Sequence, residues 1–322
     1  MRRELHRVTL VTTILALAVL AIGGPIGAAS VPPAKPQTKS LQPAAASPVP
    51  TAAALAIGAE LRWDGFYAGD PLWVRVRLSS PRARADLFRQ AQAEARGQPA
   101  TGATFAAPKV SPDWTSGVML TLSRIDKDGK RTPLLQGAAW APHLVKPKEQ
   151  LPDVGLDFMP LVRDWALGPE AAPLAEGRYL LEVAWNGKGM ADSSLLPNDG
   201  VLRGEEIAFE VKAPADDSQR AEHLSRLAGF EYLMEKYVQA RDHGREALRL
   251  WPDVLTPERV LTYFIVGNSS IGLKDYKSAE DLYRELLEKL PPPQNDDVAS
   301  MAKDILKALE AMAKPAAPAK TE

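Results

Sequence analysis

The 322-residue sequence predicts an α+β multidomain protein, with an antiparallel β-sandwich followed by a short array of α-helical hairpins. Three observations predict this fold class. In residues 59–213 apolar and polar residues alternate, as in strands with one buried and one wet face. From about residue 218 the apolar spacing becomes that of helices. A helical stretch, Tyr237–Asp253, then recurs as Tyr276–Pro292, which predicts an internal repeat.

Residues 1–30 have the three-part layout of a secretory signal. A basic start precedes an apolar run from Val8 to Ile22, and small residues follow the run. The run is shorter than the about 20 residues that a membrane-spanning helix needs. We therefore expect export to the periplasm or the extracellular space. The alternative left open is an uncleaved segment that tethers the protein to a membrane.

Composition divides the rest of the chain. Residues 31–58 are rich in Pro, Ala and Ser and almost lack bulky apolar side chains, which predicts a semi-extended linker. Residues 59–213 are predicted to form the β-sandwich domain and residues 214–314 the helical domain. Residues 315–322 resemble the linker in composition and are predicted to be a disordered tail.

Four segments carry the clearest strand pattern of the predicted sandwich, because every second residue in them is apolar. These segments are Pro71–Ser79, Gly117–Ile125, Arg178–Trp185 and Glu206–Lys212. Their expected core-facing residues are Leu72, Val74, Val76, Leu78, Val118, Leu120, Leu122, Tyr179, Leu181, Val183, Trp185, Ile207, Phe209 and Val211. Turn sequences such as Asp126–Lys130 and Asn198–Gly200 punctuate the strands, as expected for an antiparallel sheet.

The stretch LAEGRYLLEVAW, Leu174–Trp185, resembles a late strand of immunoglobulin-like or fibronectin-like sandwiches. Those domains often enter this strand through a Leu-x-x-Gly-x-Tyr pattern whose Tyr closes a corner. Leu174, Gly177 and Tyr179 match that pattern. The cysteine pair of true immunoglobulin domains is missing, so the resemblance implies a broad sandwich fold only.

Two segments are expected to interrupt the strands. Pro81–Gly97 has a short helical pattern, and residues 141–160 are Pro-rich and irregular. We interpret both as long excursions between strands. Excursions of this length sometimes carry function.

The repeated stretch resembles the tetratricopeptide repeat, a helix–turn–helix unit of about 34 residues. The small residues that this family needs are Ala228 and Ala240 in the first unit and Gly267 and Ala279 in the second. Small side chains let neighbouring helices approach within about 8–10 Å. Gly244 departs from the pattern, because the family usually has an aromatic residue there.

A further helix is expected after the two repeats, over Asp296–Ala313. Its apolar side carries Val298, Met301, Ile305 and Leu309. We expect this helix to cover the open end of the stack. At least three repeats are generally needed for stability. The two repeats should therefore also pack against the sandwich, against this helix or against another protein.

The resemblance also implies a binding surface, because repeats of this family present the inner faces of their first helices to partners. Tyr232, Phe264, Asn268 and Ile271 would line that concavity and contact a protein or peptide. The family's clamp for a terminal carboxylate needs a Lys one turn before an Asn. Phe264 stands in the place of that Lys, so the clamp is not indicated. Ordinary packing against a neighbouring element is the alternative role of these residues.

Composition excludes several classes of function. The chain has no cysteine, which excludes disulfides, thiol catalysis and cysteine-ligated metals. Its net charge is −1, without the basic segment that a nucleic-acid binder needs. We find no metal-ligand histidine spacing, nucleophile elbow, phosphate loop or dinucleotide fingerprint. We therefore predict a non-enzymatic protein without a cofactor or metal.

The predicted function is that of an exported scaffold that binds a protein or peptide through its repeat-like helices and its sandwich. The alternative is a carbohydrate- or cell-wall-binding sandwich that the repeats brace. Trp114, Trp140 and Trp165 motivate it, because they stand in loop-like contexts and could form a sugar platform. They could equally fill the ends of the sandwich. The sequence does not predict the oligomeric state.

A third hypothesis, a hydrolase, rests on the spaced acids Asp153, Asp157 and Asp164. A glycosidase could use two such carboxylates. Acids in an irregular loop are more often solvated, so this hypothesis ranks last.

Overall fold

A computed structural model describes residues 54–99, 106–137, 154–156, 159–169, 174–190, 192–290 and 296–313. The expected secretory segment, most of the linker, the tail, Trp140, Asp153 and Asp157 lie outside the described residues. The architecture is mixed α+β, as predicted. The chain divides into two compact units, of which the first spans Pro50–Pro252 and the second contains Asp253–Glu322.

The first unit contains all the described strands and the first helical hairpin. Its strands are β1 (Ala56–Leu61), β2 (Phe66–Tyr67), β3 (Leu72–Ser79), β4 (Lys109–Val110), β5 (Val118–Ile125), β6 (Arg131–Gly137), β7 (Val154–Gly155), β8 (Leu161–Leu167), β9 (Gly177–Trp185), β10 (Leu202–Arg203) and β11 (Ile207–Lys212). Its helices are α1 (Pro81–Ala95), α2 (Asp217–Leu233) and α3 (Tyr237–Leu250), with 3-10 turns at Pro112–Gly117 and Ser193–Leu195.

Two main sheets form the β part of the first unit. The smaller sheet is antiparallel and has the order β1-β3-β8. The larger sheet has the order β2-β11-β9-β5-β6, and β10 pairs with β9. The larger sheet is mixed, because β2 runs parallel to β11. The short strands β4 and β7 form a separate antiparallel pair.

Apolar side chains from both sheets meet in one hydrophobic core. All fourteen predicted core-facing residues belong to that core, and among them only Ile207 and Phe209 are partly exposed. Alternating apolar residues therefore predicted β3, β5, β9 and β11 together with their buried faces. Trp185 is fully buried, and its Nε1 donates a 2.9 Å hydrogen bond to the Trp114 carbonyl.

The approach to β9 closes through a side-chain hydrogen bond. The Tyr179 hydroxyl donates to the Ala175 carbonyl at 2.8 Å, while its ring stacks on Phe209 with centroids 5.5 Å apart. Leu174 is buried in the core beside this corner. Gly177 has a φ of 152°, and a side chain there would contact Arg124. The pattern Leu174, Gly177 and Tyr179 thus fixes the entry to this strand.

One strand contradicts the sequence interpretation. Asp164 and Trp165 were expected in an irregular region, but both lie in β8, which pairs with β3 over its whole length. The polar residues Arg163 and Asp164 interrupt the apolar alternation, so β8 lacks a clean period. Asp164 is compensated across the sheet, because it accepts hydrogen bonds of 2.8 and 3.1 Å from Arg75.

The second unit is helical in its described part. It contains α4 (Pro257–Gly272), α5 (Tyr276–Lys289) and α6 (Asp296–Ala313). The Thr256 hydroxyl caps α4 by accepting from the Arg259 amide, and Pro257 occupies the first turn. Helix α6 contacts α5 and buries Ala302, Ile305 and Leu309. Among the described residues no helix is both long and apolar enough to cross a membrane.

The hairpins α2–α3 and α4–α5 turn in the same way at a spacing of 39 residues. In each turn one residue other than glycine has a positive φ, which is 58° for Glu235 and 63° for Lys274. Three backbone hydrogen bonds recur at the same spacing. In the first pair, the Met234 amide donates to the Phe230 carbonyl and the Leu273 amide to the Ser269 carbonyl, both at 3.0 Å. In the second pair, the Glu235 amide donates to the Tyr232 carbonyl at 3.0 Å and the Lys274 amide to the Ile271 carbonyl at 2.9 Å. In the third pair, the Lys236 amide donates to the Glu231 carbonyl and the Asp275 amide to the Ser270 carbonyl, both at 2.9 Å. The sequence repeat is therefore also a repeat of backbone geometry.

The two hairpins fall in different compact units. The compact units divide between Pro252 and Asp253. The boundary expected at residues 213/214, after the last strand, stays a prediction about domains. The first hairpin belongs to the same unit as the strands because α2 packs against the β part of that unit through a buried polar cluster and an aromatic contact.

Candidate functional site

The candidate site is a buried polar cluster between α2 and the segment that leads into β3. Its centre is Asp70, whose side chain is fully buried. The Asp70 carboxylate accepts hydrogen bonds from the Tyr67 amide at 2.8 Å and from Arg226 at 2.7 Å. Its other oxygen lies 2.7 Å from Nδ1 of His223. We call Asp70, His223, Arg226 and Tyr67, together with Glu222, the Asp70 cluster.

Local structure explains why Asp70 faces inward. Gly69 has a φ of 86°, and the Asp70 amide donates a 2.9 Å hydrogen bond to the Tyr67 carbonyl, which closes a tight turn before β3. A carboxylate without such partners would be costly to bury, so the turn and α2 require each other.

Arg226 occupies an aromatic enclosure. Its guanidinium lies 4.6 Å from the centroid of the Trp63 ring and 5.1 Å from that of Tyr67. It also donates to the Gly65 carbonyl at 2.8 Å and forms a short ion pair with Glu222 on the same helix. The side chain is 9% exposed, so these are desolvated cation–π and ionic contacts.

Tyr67 connects the two carboxylates of the cluster. Its hydroxyl donates a 3.0 Å hydrogen bond to Glu222, while its amide donates to Asp70. Burial of the phenol, followed by the hydrogen bond to Glu222, raises the pKa of Tyr67 to about 12. The phenol therefore stays a hydrogen-bond donor throughout the neutral pH range.

An apolar contact completes the attachment of α2. Phe230 packs with Trp73 and Ala166 in a small hydrophobic cluster that Trp63 and Leu233 flank. A side chain at Gly168 would meet the Phe230 ring at 2.5 Å. Glycine at position 168 is therefore required for the ring to approach the end of β8.

The cluster leaves one imidazole nitrogen available. The Asp70 carboxylate can only accept a hydrogen bond from the ring, so we assign the proton of His223 to Nδ1. The other ring nitrogen, Nε2, has no hydrogen-bond partner among the described residues. His223 borders a shallow open depression of about 290 Å³ that Ala68, Pro214, Arg220 and Leu224 also line. Within the described part of the chain no group of three or more His, Asp or Glu residues could hold a metal ion.

A second imidazole–carboxylate pair joins α3 to α2. His243 Nδ1 lies 2.7 Å from Glu231, whose side chain is 11% exposed. Both described histidines therefore belong to the first hairpin, and each contacts a carboxylate that is largely shielded from solvent. His223 connects α2 to Asp70, and His243 connects α3 to Glu231 on α2, so each pair joins a helix to a neighbouring element.

The predicted partner-binding residues fall into two groups. Phe264 and Asn268 are buried and contact α5, because the Phe264 ring lies 5.7 Å from Tyr283 and the Asn268 side chain accepts a 2.8 Å hydrogen bond from the Tyr283 hydroxyl. Tyr232 and Ile271 are only partly buried. A binding role for the four residues stays a prediction, and Tyr232 and Ile271 are the more accessible of them.

Two of the three tryptophans that motivated sugar binding lie in the core, and Trp140 lies outside the described residues. Trp114 and Trp165 are 3% and 4% exposed and pack edge to face with ring centroids 6.4 Å apart. Stacking on a sugar requires an accessible ring face, which neither residue has. Both fill the interior of the first unit, as the other interpretation of these residues predicted.

Sequence reasoning did not find the Asp70 cluster. Asp70 and His223 are 153 positions apart, and no motif connects them. The available indication was indirect. His223 and Arg226 lie three residues apart on one face of a helix, and Asp70 follows a glycine directly before a strand, but the sequence does not connect these two segments.

Comparison with known proteins adds little. No protein-family model matches the chain, and no curated protein is similar to it. Among solved structures, the sporulation control protein Spo0M from Bacillus subtilis is similar at 10% identity, with a TM-score of 0.24. The match covers 57% of this chain and 56% of that chain, so it spans little more than half of either. Neither the fold nor the function of this chain follows from that similarity.

Proposed function

We propose that the chain is an exported, non-enzymatic scaffold that binds a protein or peptide partner. In this proposal the hairpins α2–α3 and α4–α5 are tetratricopeptide-like repeats and the β part of the first unit is an immunoglobulin-like sandwich. The observation that carries the proposal is the recurrence of one hairpin turn, hydrogen bond for hydrogen bond, after 39 residues. Repeated hairpins of this kind commonly present extended surfaces to partners.

Two features support the immunoglobulin-like part of the proposal. The strand orders β1-β3-β8 and β11-β9-β5-β6 match a sandwich in which strands A, B and E oppose strands G, F, C and C′. In that assignment β9 is strand F, and the hydrogen bond from Tyr179 to the Ala175 carbonyl is the tyrosine corner at its start.

The repeat spacing indicates where a partner would bind. Tyr232 and Ile271 are 39 residues apart and therefore occupy equivalent positions in the two hairpins. Tyr232 packs against Tyr237 with ring centroids 5.9 Å apart, which leaves a partly exposed aromatic surface. Partly exposed aromatic and aliphatic side chains are frequent anchors of protein interfaces.

Site-specific photocrosslinking in the native host tests the proposal. A photoreactive amino acid at position 232 or at position 271 should capture the same discrete protein. The exposed positions Gln239 and Lys307 serve as controls and should not capture it. With the purified partner, Ile271→Ser should weaken binding by about tenfold, which corresponds to about 1.4 kcal/mol.

Two outcomes would count against the scaffold. One is that neither position 232 nor position 271 yields a discrete product. The other is that both capture the same broad set of proteins as Gln239 and Lys307. Mass spectrometry of the mature amino terminus separately tests export, because removal of about 30 residues is expected from a cleaved signal.

A further inference from the structure

One edge of the Asp70 cluster reaches the surface through His223. Its ring is held by the 2.7 Å contact between Nδ1 and the fully buried Asp70, while its side chain stays 19% exposed. Nε2 has no hydrogen-bond partner among the described residues. The ring cannot turn toward another partner without breaking its contact with Asp70. His223 therefore offers one polar atom in a fixed position, and in the neutral ring that atom is an acceptor.

The depression beside His223 adds an apolar lining and a cation to this atom. Ala68, Pro214 and Leu224 supply the apolar part, and the volume is about 290 Å³. Arg220 lies one turn before Leu224, also borders the depression and has a side chain that is 58% exposed. Pockets for small molecules have volumes of about 300–1,000 Å³. A depression of this size therefore suits a single side chain better than a larger molecule.

Arg220 is held only loosely by its neighbours. It donates a 3.1 Å hydrogen bond to Asp217, whose side chain is 66% exposed. A hydrogen bond from Arg249 and, more weakly, the charge of Arg220 lower the pKa of Glu246 on α3. Ion pairs at such exposed positions add little stability. The guanidinium of Arg220 can therefore turn toward a ligand in the depression at small cost.

The second hairpin shows what the equivalent arginine contacts. Arg259 and Tyr263 stand 39 residues after Arg220 and Leu224, and both are buried. The Tyr263 hydroxyl donates a 2.7 Å hydrogen bond to Glu285 and is also hydrogen-bonded to Arg259. In the first hairpin a leucine stands in place of this tyrosine. Arg220 therefore lacks the phenol that its counterpart contacts.

We propose that the depression receives the tyrosine side chain of a protein partner. The ring would pack against the apolar lining, while the hydroxyl donates to Nε2 of His223 and accepts from Arg220. A carboxylate only accepts, so it would leave Nε2 without a donor, and an ammonium group would be repelled by Arg220. An indole only donates and would leave Arg220 unused. This inference rests on the proposed scaffold function and names one residue type that the partner needs.

The contact is expected to be weak on its own. A shallow depression covers only part of a ring, so a free tyrosine gains little apolar burial there. A partner that is already bound elsewhere on the chain would gain more, because attachment raises the effective concentration of its tyrosine. The depression is therefore expected to add selectivity to an interface rather than most of its affinity.

Titration of the purified full-length protein with a model tyrosine tests the site without a partner. N-acetyl-tyrosine amide is added to isotope-labelled protein, and NMR follows the backbone amides of Ala68 and Leu224, which border the depression. Both signals should shift, with a dissociation constant on the order of 1–10 mM. N-acetyl-phenylalanine amide lacks the hydroxyl and should bind about fivefold more weakly, because it leaves both polar groups without a ligand atom.

Two substitutions remove the polar groups one at a time. Arg220→Met removes the guanidinium at an exposed position where the fold does not depend on it. His223→Asn keeps an N–H for Asp70 but removes Nε2. Each should weaken binding of the tyrosine probe by about fivefold and leave the phenylalanine probe unchanged. Arg245→Met and His243→Asn are matched changes on α3, and they should alter neither titration.

Two results would overturn the tyrosine site. One is equal affinity for the two probes, or a tyrosine titration that Arg220→Met leaves unchanged. The other is a partner, captured at position 232 or 271, whose affinity is the same for Arg220→Met and for wild type. Probe binding without any captured partner would refute the scaffold and the partner's tyrosine together, but it would retain the depression as a site for phenols. Circular dichroism of each variant checks that the fold is retained.

Discussion

The two hairpins have the same turn, but the residues that pack between their two helices, which we call the seam, are different. Gly244 on α3 corresponds to Tyr283 on α5, and Ser225 on α2 corresponds to Phe264 on α4, at the spacing of 39 residues. In the first hairpin these positions hold small residues, and the backbones of α2 and α3 lie close together over a longer stretch. In the second hairpin the two aromatic rings pack between α4 and α5.

The difference shows which part of a repeat must be kept and which part can vary. The turn geometry is common to both hairpins, although Glu235 and Lys274 each adopt a left-handed conformation that favours glycine. The seam varies, because an aromatic ring on one helix fits where the facing residue of the other helix is a glycine. The first hairpin additionally has the Asp70 cluster, which attaches α2 to the β part of its own unit.

The largest effect is expected from a substitution that removes the Asp70 cluster. Asp70→Ala leaves Arg226 buried without its main carboxylate, and it also removes the partner of His223. Loss of one member of a buried ion pair costs about 3–5 kcal/mol. Chemical denaturation should show a free energy of unfolding of the first unit that is lower by this amount. Asp281→Ala, which removes an exposed pair with Lys277 on α5, should change stability by less than about 1 kcal/mol.

High pH should weaken the first hairpin through Tyr232. Burial raises the pKa of Tyr232 to about 12, compared with about 10 for an unfolded chain. The folded state thus favours the neutral phenol. Its contribution is fully present below about pH 10 and is lost as the pH rises toward about 12, with an upper limit of about 2.7 kcal/mol.

The measurement for Tyr232 is denaturation of wild type and Tyr232→Phe between pH 9 and about 11.5. Phenylalanine cannot ionise, so the variant should lose less stability over this range. Identical slopes for the two proteins would show that Tyr232 does not titrate in the folded state as described. Ile271, the equivalent residue of the second hairpin, offers no ionisable group for the same effect.

A methyl group in the second seam should be costly. In Gly267→Ala the new Cβ would meet the Tyr283 ring at 2.6 Å, and that ring is fully buried and hydrogen-bonded to Asn268. Overpacking of this kind costs about 1–3 kcal/mol. If the clash is the cause, adding Tyr283→Leu should make the Gly267→Ala change nearly neutral in a double-mutant cycle. Equal costs in the two backgrounds would contradict this explanation.

The smallest effect should be the same in both hairpins. Replacing Glu235 or Lys274 with glycine relieves the cost of a left-handed residue, which is about 1–2 kcal/mol, but makes the unfolded chain more flexible. We expect each change to stabilise the protein by roughly 0.5 kcal/mol. The alanine variants retain Cβ and should gain nothing. Opposite signs at the two positions would show that the turns are not equivalent.

The comparison also shows how far the sequence predicts the molecule. Strands β3, β5, β9 and β11 followed from alternating apolar residues, because a strand with one buried face imposes that pattern locally. The helices and their repeat followed from spacing as well. Strand β8 did not, since Arg163 and Asp164 interrupt its pattern and Asp164 is balanced by Arg75 on another strand.

The attachment of the first hairpin could not be predicted for a related reason. The environment of Asp70 is made by His223 and Arg226, which are more than 150 residues away, so no local pattern encodes it. For the same reason the sequence left open whether Phe264 and Asn268 line a concavity or pack against a neighbouring element. Their contact with Tyr283 depends on how α4 and α5 rotate about their axes, which the apolar spacing of a mostly buried helix leaves undetermined.

Hydrogen–deuterium exchange of wild type and Asp70→Asn tests the central claim most directly. The claim is that the first hairpin is stabilised by the Asp70 cluster, whereas the second hairpin is stabilised by its own aromatic seam. The account predicts faster exchange in α2 and α3 of the variant, together with unchanged exchange in α4 and α5. Unchanged protection of α2 and α3, or an equal loss in both hairpins, would contradict it.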